Sequence, residues 1–455
     1  MTAFTLAEIC AATEGIPVKL AEPIKFSGIT TDTRSIRPGD LFIALRGERY
    51  DGHDFIPIAL QNGAAGVIVS RGGEFASDNI PVIKVKDTLK ALQALASFHR
   101  QRYNIPIIAV TGSNGKTTTK DMIAAVLGSR FNVLKTEANF NNEIGLPLTL
   151  LNLNATHDAG IVEMGMRGLG QIKELSDIAL PNIGVITNVG ETHIELLGSM
   201  ENIARAKAEL VESLPNNGLA ILNGDNDHVR AMGRKTPARV LLYGLEDGCD
   251  VQGVDINTNT NGIGMTVGFK YLGRINKVFI PTIGRHNVYN ALAAVSVGLG
   301  LGMEVDEIGE GLKRFVASGM RLAIEPKGKY TIINDAYNAS PLSMSAAIDT
   351  LVEIASGRKV VVLGDMLELG QMAVEAHQKI GRKIGLSGVD IVVTVGELAA
   401  YIAEEAQRNG AKVSLACKNH EEAANVLKQY LTPGDTILIK GSRSMKMEQI
   451  IDVLS

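Results

Sequence analysis

The chain has 455 residues, of which 45% are hydrophobic and 21% are charged, and its formal net charge is −4. This length suggests about three domains, and the composition is that of a globular protein. The small negative charge excludes a general attraction to nucleic acid or to an anionic membrane. Cys10, Cys249 and Cys417 are far apart and odd in number, which indicates neither a disulfide framework nor a metal cluster.

The sequence also bears on where the protein works. The segment "MTAFTLAEICAATEG" contains acidic residues and no continuous apolar core, unlike a secretion signal. No uninterrupted apolar stretch of about 18 residues occurs. We therefore expect a cytoplasmic protein without membrane insertion, and a monomer.

Residues 1–87 contain short apolar runs, "DLFIAL", "AAGVIV" and "PVIKV", separated by Gly, Pro and Asp turns. Such runs predict a small mixed α/β domain. Leu89, Leu92, Leu95 and Phe98 then recur at helical spacing and predict a helix from Thr88. We place the first domain boundary at this helix.

Residues 88–318 alternate apolar strands with helical patterns, which is typical of parallel βαβ units. The predicted strands are "IPIIAV", "AGIVEMG", "NIGVITNVG" and "GLAILNGDN", followed by an antiparallel pair, "GMTVGFKYLG" and "NKVFIPTIG", and the helix "HNVYNALAAVSVGLGLG". Residues 319–455 repeat the alternation with "YTIIND", "RKVVVLGD", "VDIVVTVG", "AKVSLA" and "DTILIKGS". We expect an α/β fold of three domains, the central one P-loop ATPase-like and the last Rossmann-like.

The stretch "TGSNGKTTTK" joins a strand predicted to end at Val110 to a helix predicted to begin near Thr117. Val110 stands where the usual phosphate-loop pattern has its first glycine. The glycines that remain still let successive N–H groups turn towards the positive end of the helix. Lys116 adds a mobile charge, and the hydroxyl of Thr117 or Thr118 suits Mg²⁺ bound to phosphate. The loop predicts ATP binding, and the alternative is a helix N-cap in a polar turn.

Two side chains at predicted strand ends are candidate magnesium ligands. Glu163 follows the apolar run "AGIV" and should emerge at the carboxyl edge of the sheet. His193 follows the strand that ends near Asn188. The alternatives are a solvated glutamate and a structural histidine.

Lys207 is expected on the buried face of a helix. It lies four residues after Ile203 and three before Leu210, and these two apolar residues belong to one hydrophobic stripe of the predicted helix. A buried ammonium must meet anions or lose its proton, and a neutral amine can react with CO₂ to give a carbamate that would bind Mg²⁺. The alternative is a lysine whose stem is buried and whose charge reaches water.

These motifs together resemble the bacterial Mur ligase family over essentially the whole chain. The matching stretches are "TTDTRSIRPGDLFIALRGERYDGHDF", "TGSNGKTTTK", "TEANFNNEIGLPLTLL", "EMG", "TNVGETHIE", "ARAKAEL", "GRHNVYNALAA", "GMRL", "NDAYNASPLSM", "VLGDMLELG" and "IKGSRSMKME". Within the family, "GDMLELG" is similar to the branch that uses D-alanyl-D-alanine. The absence of a "DNPR"-like signature argues against the branch that adds a diamino acid.

The resemblance implies a role for each matching position. It implies catalysis by Lys116, Glu163, His193 and Lys207, and two magnesium ions held by Thr117, Glu163, His193 and carbamylated Lys207. It implies ATP binding by Gly112, Ser113, Asn114, Gly115, Lys116, Thr117, Thr118, His286, Asn287, Asn290, Arg321 and Asp335. It implies contacts with the UDP-linked and amine substrates by Thr31, Asp32, Arg34, Arg46, Gly47, Asn139, Asn142, Asn188, Tyr337 and Asn338. "NASP", where the family more often has a second asparagine, is a departure that concerns fine substrate contacts.

The activity implied is ATP-dependent amide formation between a UDP-N-acetylmuramoyl-tripeptide and D-alanyl-D-alanine through an acyl phosphate. Two alternatives stay open at this point. A folylpolyglutamate synthase shares the architecture but lacks the N-terminal "TTDTRSIRPGD" domain. An ATP-gated binding protein would keep the phosphate loop but would have no use for Glu163, His193 and Lys207 together.

Overall fold

A computed structural model describes residues 3–19, 25–72, 80–259 and 264–454. Within these residues the strands form three larger sheets and one two-stranded pair, interleaved with helices. The fold is of the α/β class expected from the sequence. We refer to residues 3–87, 88–318 and 319–454 as the N-terminal, central and C-terminal regions; the domain limits themselves remain a prediction.

The N-terminal region holds a small sheet. Its elements are β1 (Phe4–Thr5), α1 (Leu6–Thr13), β2 (Ile16–Lys19), β3 (Lys25–Phe26), β4 (Gly28–Thr30), β5 (Asp40–Ile43), α2 (Ile56–Gln61), β6 (Gly66–Val69) and β7 (Val82–Lys84). Five strands follow the order β2-β7-β6-β5-β4, and β2 runs antiparallel to β7. Phe42 and Val67 pack against Ile56 of α2 in one core. The predicted strands "DLFIAL", "AAGVIV" and "PVIKV" are confirmed.

The central region contains the largest sheet. Its elements are α3 (Thr88–Gln101), β8 (Ile107–Thr111), α4 (Lys116–Leu127), β9 (Val133–Lys135), α5 (Gly145–Leu150), β10 (Ala159–Glu163), α6 (Gln171–Ala179), β11 (Ile183–Ile186), α7 (Ile194–Leu197), α8 (Met200–Glu212), β12 (Leu219–Asn223), α9 (Asp227–Met232), β13 (Arg239–Gly244), β14 (Val251–Asn259), β15 (Gly264–Tyr271), β16 (Arg274–Ile280), α10 (Arg285–Gly300) and α11 (Val305–Lys313). The order is β16-β15-β14-β13-β12-β11-β8-β10-β9.

The middle of this sheet explains where the site forms. β8 lies between β10 and β11, and all three strands are buried and parallel. A parallel strand covered on both faces is apolar throughout, which is why "IPIIAV" was recognisable. The chain leaves β8 for one side and returns to the other at β11, so the connections diverge at the carboxyl end of β8. A crevice opens at such a point, and the phosphate loop begins there.

The C-terminal region has a sheet of its own. Its elements are β17 (Ala323–Lys327), β18 (Tyr330–Asp335), α12 (Pro341–Ile354), β19 (Lys359–Gly364), α13 (Ala373–Leu386), β20 (Ile391–Val395), α14 (Ala399–Arg408), β21 (Val413–Cys417), α15 (His420–Tyr430), β22 (Thr436–Lys440) and α16 (Glu448–Val453). The order is β17-β18-β22-β19-β20-β21. Every pairing is parallel except that of β17 with β18. The five strands expected here are confirmed.

Besides the short strands β1 to β4 of the N-terminal region, four strands were not predicted: β9, β13, β14 and β17. The first has only three residues, "VLK", and β17 reads "AIEPK", with a proline and two charges on an edge strand. A proline is tolerated there because one side of the strand makes no ladder bonds. In β14 most residues are at least partly exposed. β9, β14 and β17 lack the continuous apolar run that identified the others, whereas β13 carries the run "VLLY" and was missed.

Candidate active site

One cavity of about 1330 Å³ lies between the carboxyl ends of the central and C-terminal sheets. Most of the predicted site residues line it: Ser113, Asn114, Gly115, Lys116, Thr117, Thr118, Asn139, Asn142, Glu163, Asn188, His193, Lys207, His286, Asn287, Asn290, Arg321, Asp335, Tyr337 and Asn338. They come from strand ends, helices and loops that are up to 225 residues apart in the chain, from Ser113 to Asn338. The fold therefore brings together the residues that were singled out separately.

The phosphate loop depends on two glycines. Gly115 has φ 81°, and a Cβ there would lie 2.6 Å from Asn290 Oδ1. A Cβ on Gly112 would lie 1.8 Å from Thr187 Oγ1. Glycine alone fits both places. The loop delivers the chain to α4, which begins at Lys116, one residue earlier than predicted, and β8 ends at Thr111 rather than Val110.

Side chains after β11 hold the loop in place. Asn188 accepts a hydrogen bond from Asn114 N (2.9 Å) and donates one to Asn114 O (3.0 Å). Thr187 Oγ1 donates to the same carbonyl at 2.6 Å. Ser113 Oγ accepts from Gly190 N at 2.9 Å. Asn188, predicted as a substrate contact, thus acts on the loop backbone.

Lys116 lies folded back over the loop. Its ammonium donates to Gly112 O at 2.9 Å. Burial lowers the pKa of Lys116, nearby Arg321 lowers it further, and Glu163 opposes the shift. Because Lys116 lies near a second cation, Arg321, binding of an anion in the same cavity would be favourable.

Glu163 is the acidic group of this cavity wall. It ends β10 and is only 2% exposed. Asn141 Nδ2 donates to Glu163 Oε1 at 2.8 Å, whereas Oε2 is buried and has no hydrogen-bond partner among the described residues. A buried carboxylate oxygen without a partner is costly and is suited to a cation. The sequence analysis named the neighbours Asn139 and Asn142 but not Asn141.

Lys207 confirms the helical pattern that singled it out. It lies on the buried face of α8, beside Ile203 and Leu210, and is 2% exposed. Among the described residues it has no hydrogen bond or ion pair. Burial, and then the charge of Lys116, hold the pKa of Lys207 well below its ordinary range. The alternative of a lysine with its charge in water is wrong.

His193 meets the C-terminal region across the cavity. It has φ 62°, and its Nδ1 lies 2.6 Å from Glu368 Oε2. Burial lowers the pKa of His193, although Glu368 opposes this. Glu368 belongs to "GDMLELG", also has φ above zero (63°), and was not named individually from the sequence.

The opposite wall carries Arg321 and Asp335. The guanidinium carbon of Arg321 lies 4.0 Å from the centroid of the Tyr337 ring, a cation–π arrangement. Asp335 Oδ1 accepts from Leu322 N at 3.1 Å, and Lys440 Nζ donates to Asp335 Oδ2 at 2.5 Å. Both carboxylate oxygens of Asp335 accept a hydrogen bond within the protein, whereas Oε2 of Glu163 accepts none from the described residues.

The residues expected near adenine form a network at the start of α10. Asn287 Nδ2 donates to Ile283 O at 2.8 Å, and Asn290 Nδ2 donates to Asn287 Oδ1 at 2.9 Å. Thr119 Oγ1 donates to Asn290 Oδ1 at 3.0 Å and so ties α10 to α4. Burial lowers the pKa of His286 to about 4, so this imidazole is neutral near pH 7.

The five N-terminal candidates lie apart from this cavity. Arg34 forms a bidentate salt bridge with Asp32, in which Nη2 lies 2.6 Å from Oδ2 and Nε lies 2.9 Å from Oδ1. Arg46 Nε lies 3.6 Å from Asp51 Oδ2. Thr31 and Gly47 complete the set. None of them lines the cavity, so their role in substrate binding remains a prediction.

The residues fit a magnesium nucleotide on their own geometry. In the described ranges, no group of three or more His, Cys, Asp or Glu side chains is placed so that it could hold a metal ion by itself. A metal would therefore take ligands from phosphate as well as from protein, as Mg²⁺ commonly does. Glu163 Oε2, lacking a partner, and the glycine-lined loop provide both halves of such a site.

Comparisons with known proteins agree with this geometry. Models of one family match residues 25–100 (Mur ligase family, catalytic domain), 110–298 (Mur ligase middle domain) and 320–443 (Mur ligase, glutamate ligase domain). Together these segments cover most of the chain, including the N-terminal region that a folylpolyglutamate synthase would lack. The chain belongs to the Mur ligase family.

The relatives narrow the class further. The chain is 41% identical over 427 residues to the UDP-N-acetylmuramoyl-tripeptide–D-alanyl-D-alanine ligase of Bacillus subtilis, covering 93% of this chain and 92% of that one. A crystal structure of MurF from Acinetobacter baumannii superposes with TM-score 0.92 at 31% identity, over 100% and 99% of the two chains. MurF ligase from Thermotoga maritima in complex with ADP matches with TM-score 0.84 at 29% identity, over 94% and 96%. This chain is thus similar to the D-alanyl-D-alanine-adding members.

Proposed function

We propose that this chain is an ATP-dependent ligase that adds D-alanyl-D-alanine to UDP-N-acetylmuramoyl-tripeptide in peptidoglycan precursor synthesis. One observation carries the proposal: a single cavity joins the phosphate loop, Glu163, His193 and Lys207 to Arg321 and Asp335 on the facing wall. A protein that only binds ATP would not need this second wall. The identity to ligases over more than nine-tenths of the chain supports the same reaction.

The first step activates a carboxylate. A carboxylate is a poor electrophile, so its oxygen attacks the γ-phosphorus of ATP, the bond to the β-phosphate oxygen breaks, and an acyl phosphate and ADP form. Lys116 and the N–H groups of the loop neutralise the charge that develops on the transferred oxygens. Arg321 lines the same cavity as Lys116.

The second step forms the amide. The neutral amine of D-alanyl-D-alanine attacks the acyl carbon, and phosphate leaves from the tetrahedral intermediate while the nitrogen loses its proton. No covalent intermediate with the protein is required. The chain acts by positioning and by electrostatic stabilisation, which are the largest contributions in such transfers.

Magnesium would be held by Thr117, Glu163 and His193, and it supplies positive charge to the phosphate oxygens. We propose two ions, with Lys207 as a carbamate ligand of the second. Support comes from the depressed pKa of Lys207, which favours the neutral amine that reacts with CO₂. The contact of His193 with Glu368 must then open or be shared when an ion binds.

The remaining parts of the proposal concern the rest of the chain. Thr31, Asp32, Arg34, Arg46 and Gly47 would hold the UDP end of the tripeptide substrate. None of the helices in the described residues is long and apolar enough to cross a membrane, and we propose that a single chain acts in the cytoplasm. Assays with the meso-diaminopimelate and the lysine tripeptide would establish which one is accepted.

The decisive assay measures phosphate release with each substrate omitted in turn. We expect one phosphate per amide formed, and release only when ATP, UDP-tripeptide and D-alanyl-D-alanine are all present. Mass spectrometry should show the UDP-pentapeptide. Release that ignores the dipeptide would contradict the proposal, and release with a folate in place of the tripeptide would favour the alternative ligase.

A further inference from the structure

Lys440 is a buried cation to which neither the family resemblance nor the proposed mechanism assigns a role, although it lies in the matching stretch "IKGSRSMKME". It is the last residue of β22, it is 2% exposed, and it is among the largest fully buried side chains of the described residues. Its strand lies between β18 and β19. An ammonium at such a place is strongly destabilising unless it is well partnered.

The two partners of Lys440 are the last residue of β18 and a residue of the segment that follows it. Its Nζ donates to Asp335 Oδ2 at 2.5 Å and to Asn338 O at 2.8 Å. Asp335 and Lys440 face each other in the parallel register of β18 and β22. The three residues line the cavity. The cation therefore fixes both the first and the fourth residue of "DAYN".

Two branches lead from this pair to groups expected to face ATP. In one, Asp335 Oδ1 accepts from Leu322 N at 3.1 Å, which fixes the backbone beside Arg321. In the other, the segment held at Asn338 continues to Ser340, whose Oγ donates to Asn114 Oδ1 at 2.7 Å. Asn114 is part of the phosphate loop, so the second branch crosses from the C-terminal to the central region.

The energetics of the Lys440–Asp335 ion pair indicate that it has a role besides stabilising the fold. Replacing a buried ion pair by apolar side chains of similar volume is often neutral or stabilising. A sheet interior built from Ile437, Leu438 and Ile439 would accept another apolar residue at the end of β22. The ion pair instead places a carboxylate and a main-chain turn at fixed positions on the cavity wall.

We propose that Lys440 is a positioning residue for ATP: it orients Asp335, and through Asn338 and Ser340 it sets the C-terminal wall against the phosphate loop. This rests on the proposed function, because it takes Arg321, Asp335 and Asn114 to act on ATP. It adds a residue that does not touch the reacting atoms and acts through those that do.

The experiment compares Lys440→Met, which keeps the length of the side chain without its charge, with Lys412→Met, whose side chain is 82% exposed on the same region. In Lys440→Met we expect kcat to fall by about 10²-fold, the effect of an ångström-scale misplacement. The KM for ATP should rise about tenfold or more, and the KM values for UDP-tripeptide and dipeptide should stay within about twofold. Lys412→Met should match the parent.

Folding is monitored by the Tm of each variant. If Lys440→Met does not fold, Lys440→Gln keeps a hydrogen-bond donor and should show the same selective rise in the KM for ATP. A folded variant with parent kcat and parent KM for ATP, and only a lower Tm, would make the pair purely structural and overturn the proposal. Failure of the proposed function would look different, because the parent chain itself would then form no amide.

Discussion

The cavity has a central wall, formed by residues of the central region, and a C-terminal wall, formed by residues of the C-terminal region. The two walls differ in how their charged side chains are paired. On the central wall, Lys207 has no partner among the described residues, Glu163 Oε2 has none either, and Lys116 contacts only main-chain carbonyls of its own loop. On the C-terminal wall, Asp335 and Lys440 satisfy each other at 2.5 Å. Glu163 and Lys207 on one wall and Lys440 on the other are each 2% exposed, so the difference between them does not come from solvent.

The difference assigns a different task to each wall. Unpaired buried charges destabilise a protein, and they persist where a ligand completes them. The central wall is incomplete until phosphates and a metal are present, whereas the C-terminal wall is complete in itself and can serve as a fixed reference. We expect substitutions on the central wall mainly to lower kcat. Substitutions on the C-terminal wall should misalign ATP and therefore raise its KM.

The strongest challenge to this distinction is Lys116→Ala. Removing the cation takes away its stabilisation of the charge on the transferred phosphate, and we expect kcat to fall by about 10² to 10³-fold. Phosphate release with all three substrates is the measurement. Lys173→Ala, which alters an exposed pair with Asp177, is the control. A loss of less than about tenfold would mean that the loop does not act on the transferred phosphate.

Lys207→Ala tests the unpaired lysine directly. We expect an activity loss of about 10²-fold, since a metal ligand is removed, with partial recovery when formate or acetate replaces the missing carboxylate. Added short carboxylates should leave the parent unchanged. ¹³C NMR of the parent in ¹³CO₂ should give a carbamate signal that Lys207→Ala lacks. Loss without recovery and without a signal would leave a lysine that acts only as a cation.

Ser340→Ala acts on the bond that joins the two walls. It removes the hydrogen bond to Asn114 and the N-cap contact to Ser343 N, and a cap is worth about 1 kcal/mol. We expect the KM for ATP to rise about threefold to tenfold with little change in kcat. Ser387→Ala, at the end of α13 and away from the cavity, is the control. A fall in kcat as large as that of Lys116→Ala, with the KM for ATP unchanged, would erase the distinction between the walls.

The smallest effect concerns stability and pH. Because the pKa of Lys207 is depressed, the unfolded chain holds a proton that the folded chain lacks between that lowered pKa and the ordinary value near 10.4. Folded stability of the parent therefore rises with pH across this window. In CO₂-free buffer Lys207→Met should melt about 2 to 4 °C above the parent near pH 7, and the gap should narrow towards pH 10. A gap independent of pH would contradict the shift.

Local patterns sufficed for the central wall. The glycines and lysine of the phosphate loop are consecutive in sequence, and Lys207 lies at helical spacing from Ile203 and Leu210, so its burial followed from periodicity alone. The strands that carry the site are parallel and buried, and such strands are continuous apolar runs. These features could be predicted because the residues that define them are close in the chain.

The C-terminal wall was less accessible to sequence reasoning. Asp335 and Lys440 are separated by 105 residues, and Ser340 and Asn114 by 226. No spacing rule connects such pairs, because their proximity depends on strand order, with β22 inserted between β18 and β19. Glu368 was visible only as part of "GDMLELG", and its contact with His193 requires two regions to meet.

Calorimetry with a non-hydrolysable ATP analogue in magnesium buffer tests most directly whether the unpaired charges of the central wall await a nucleotide. We predict that the parent chain binds one analogue per chain, that Lys116→Ala loses most of the affinity, and that Lys412→Met keeps it. No detectable heat with the parent, or equal affinity in Lys116→Ala, would contradict the assignment of this cavity.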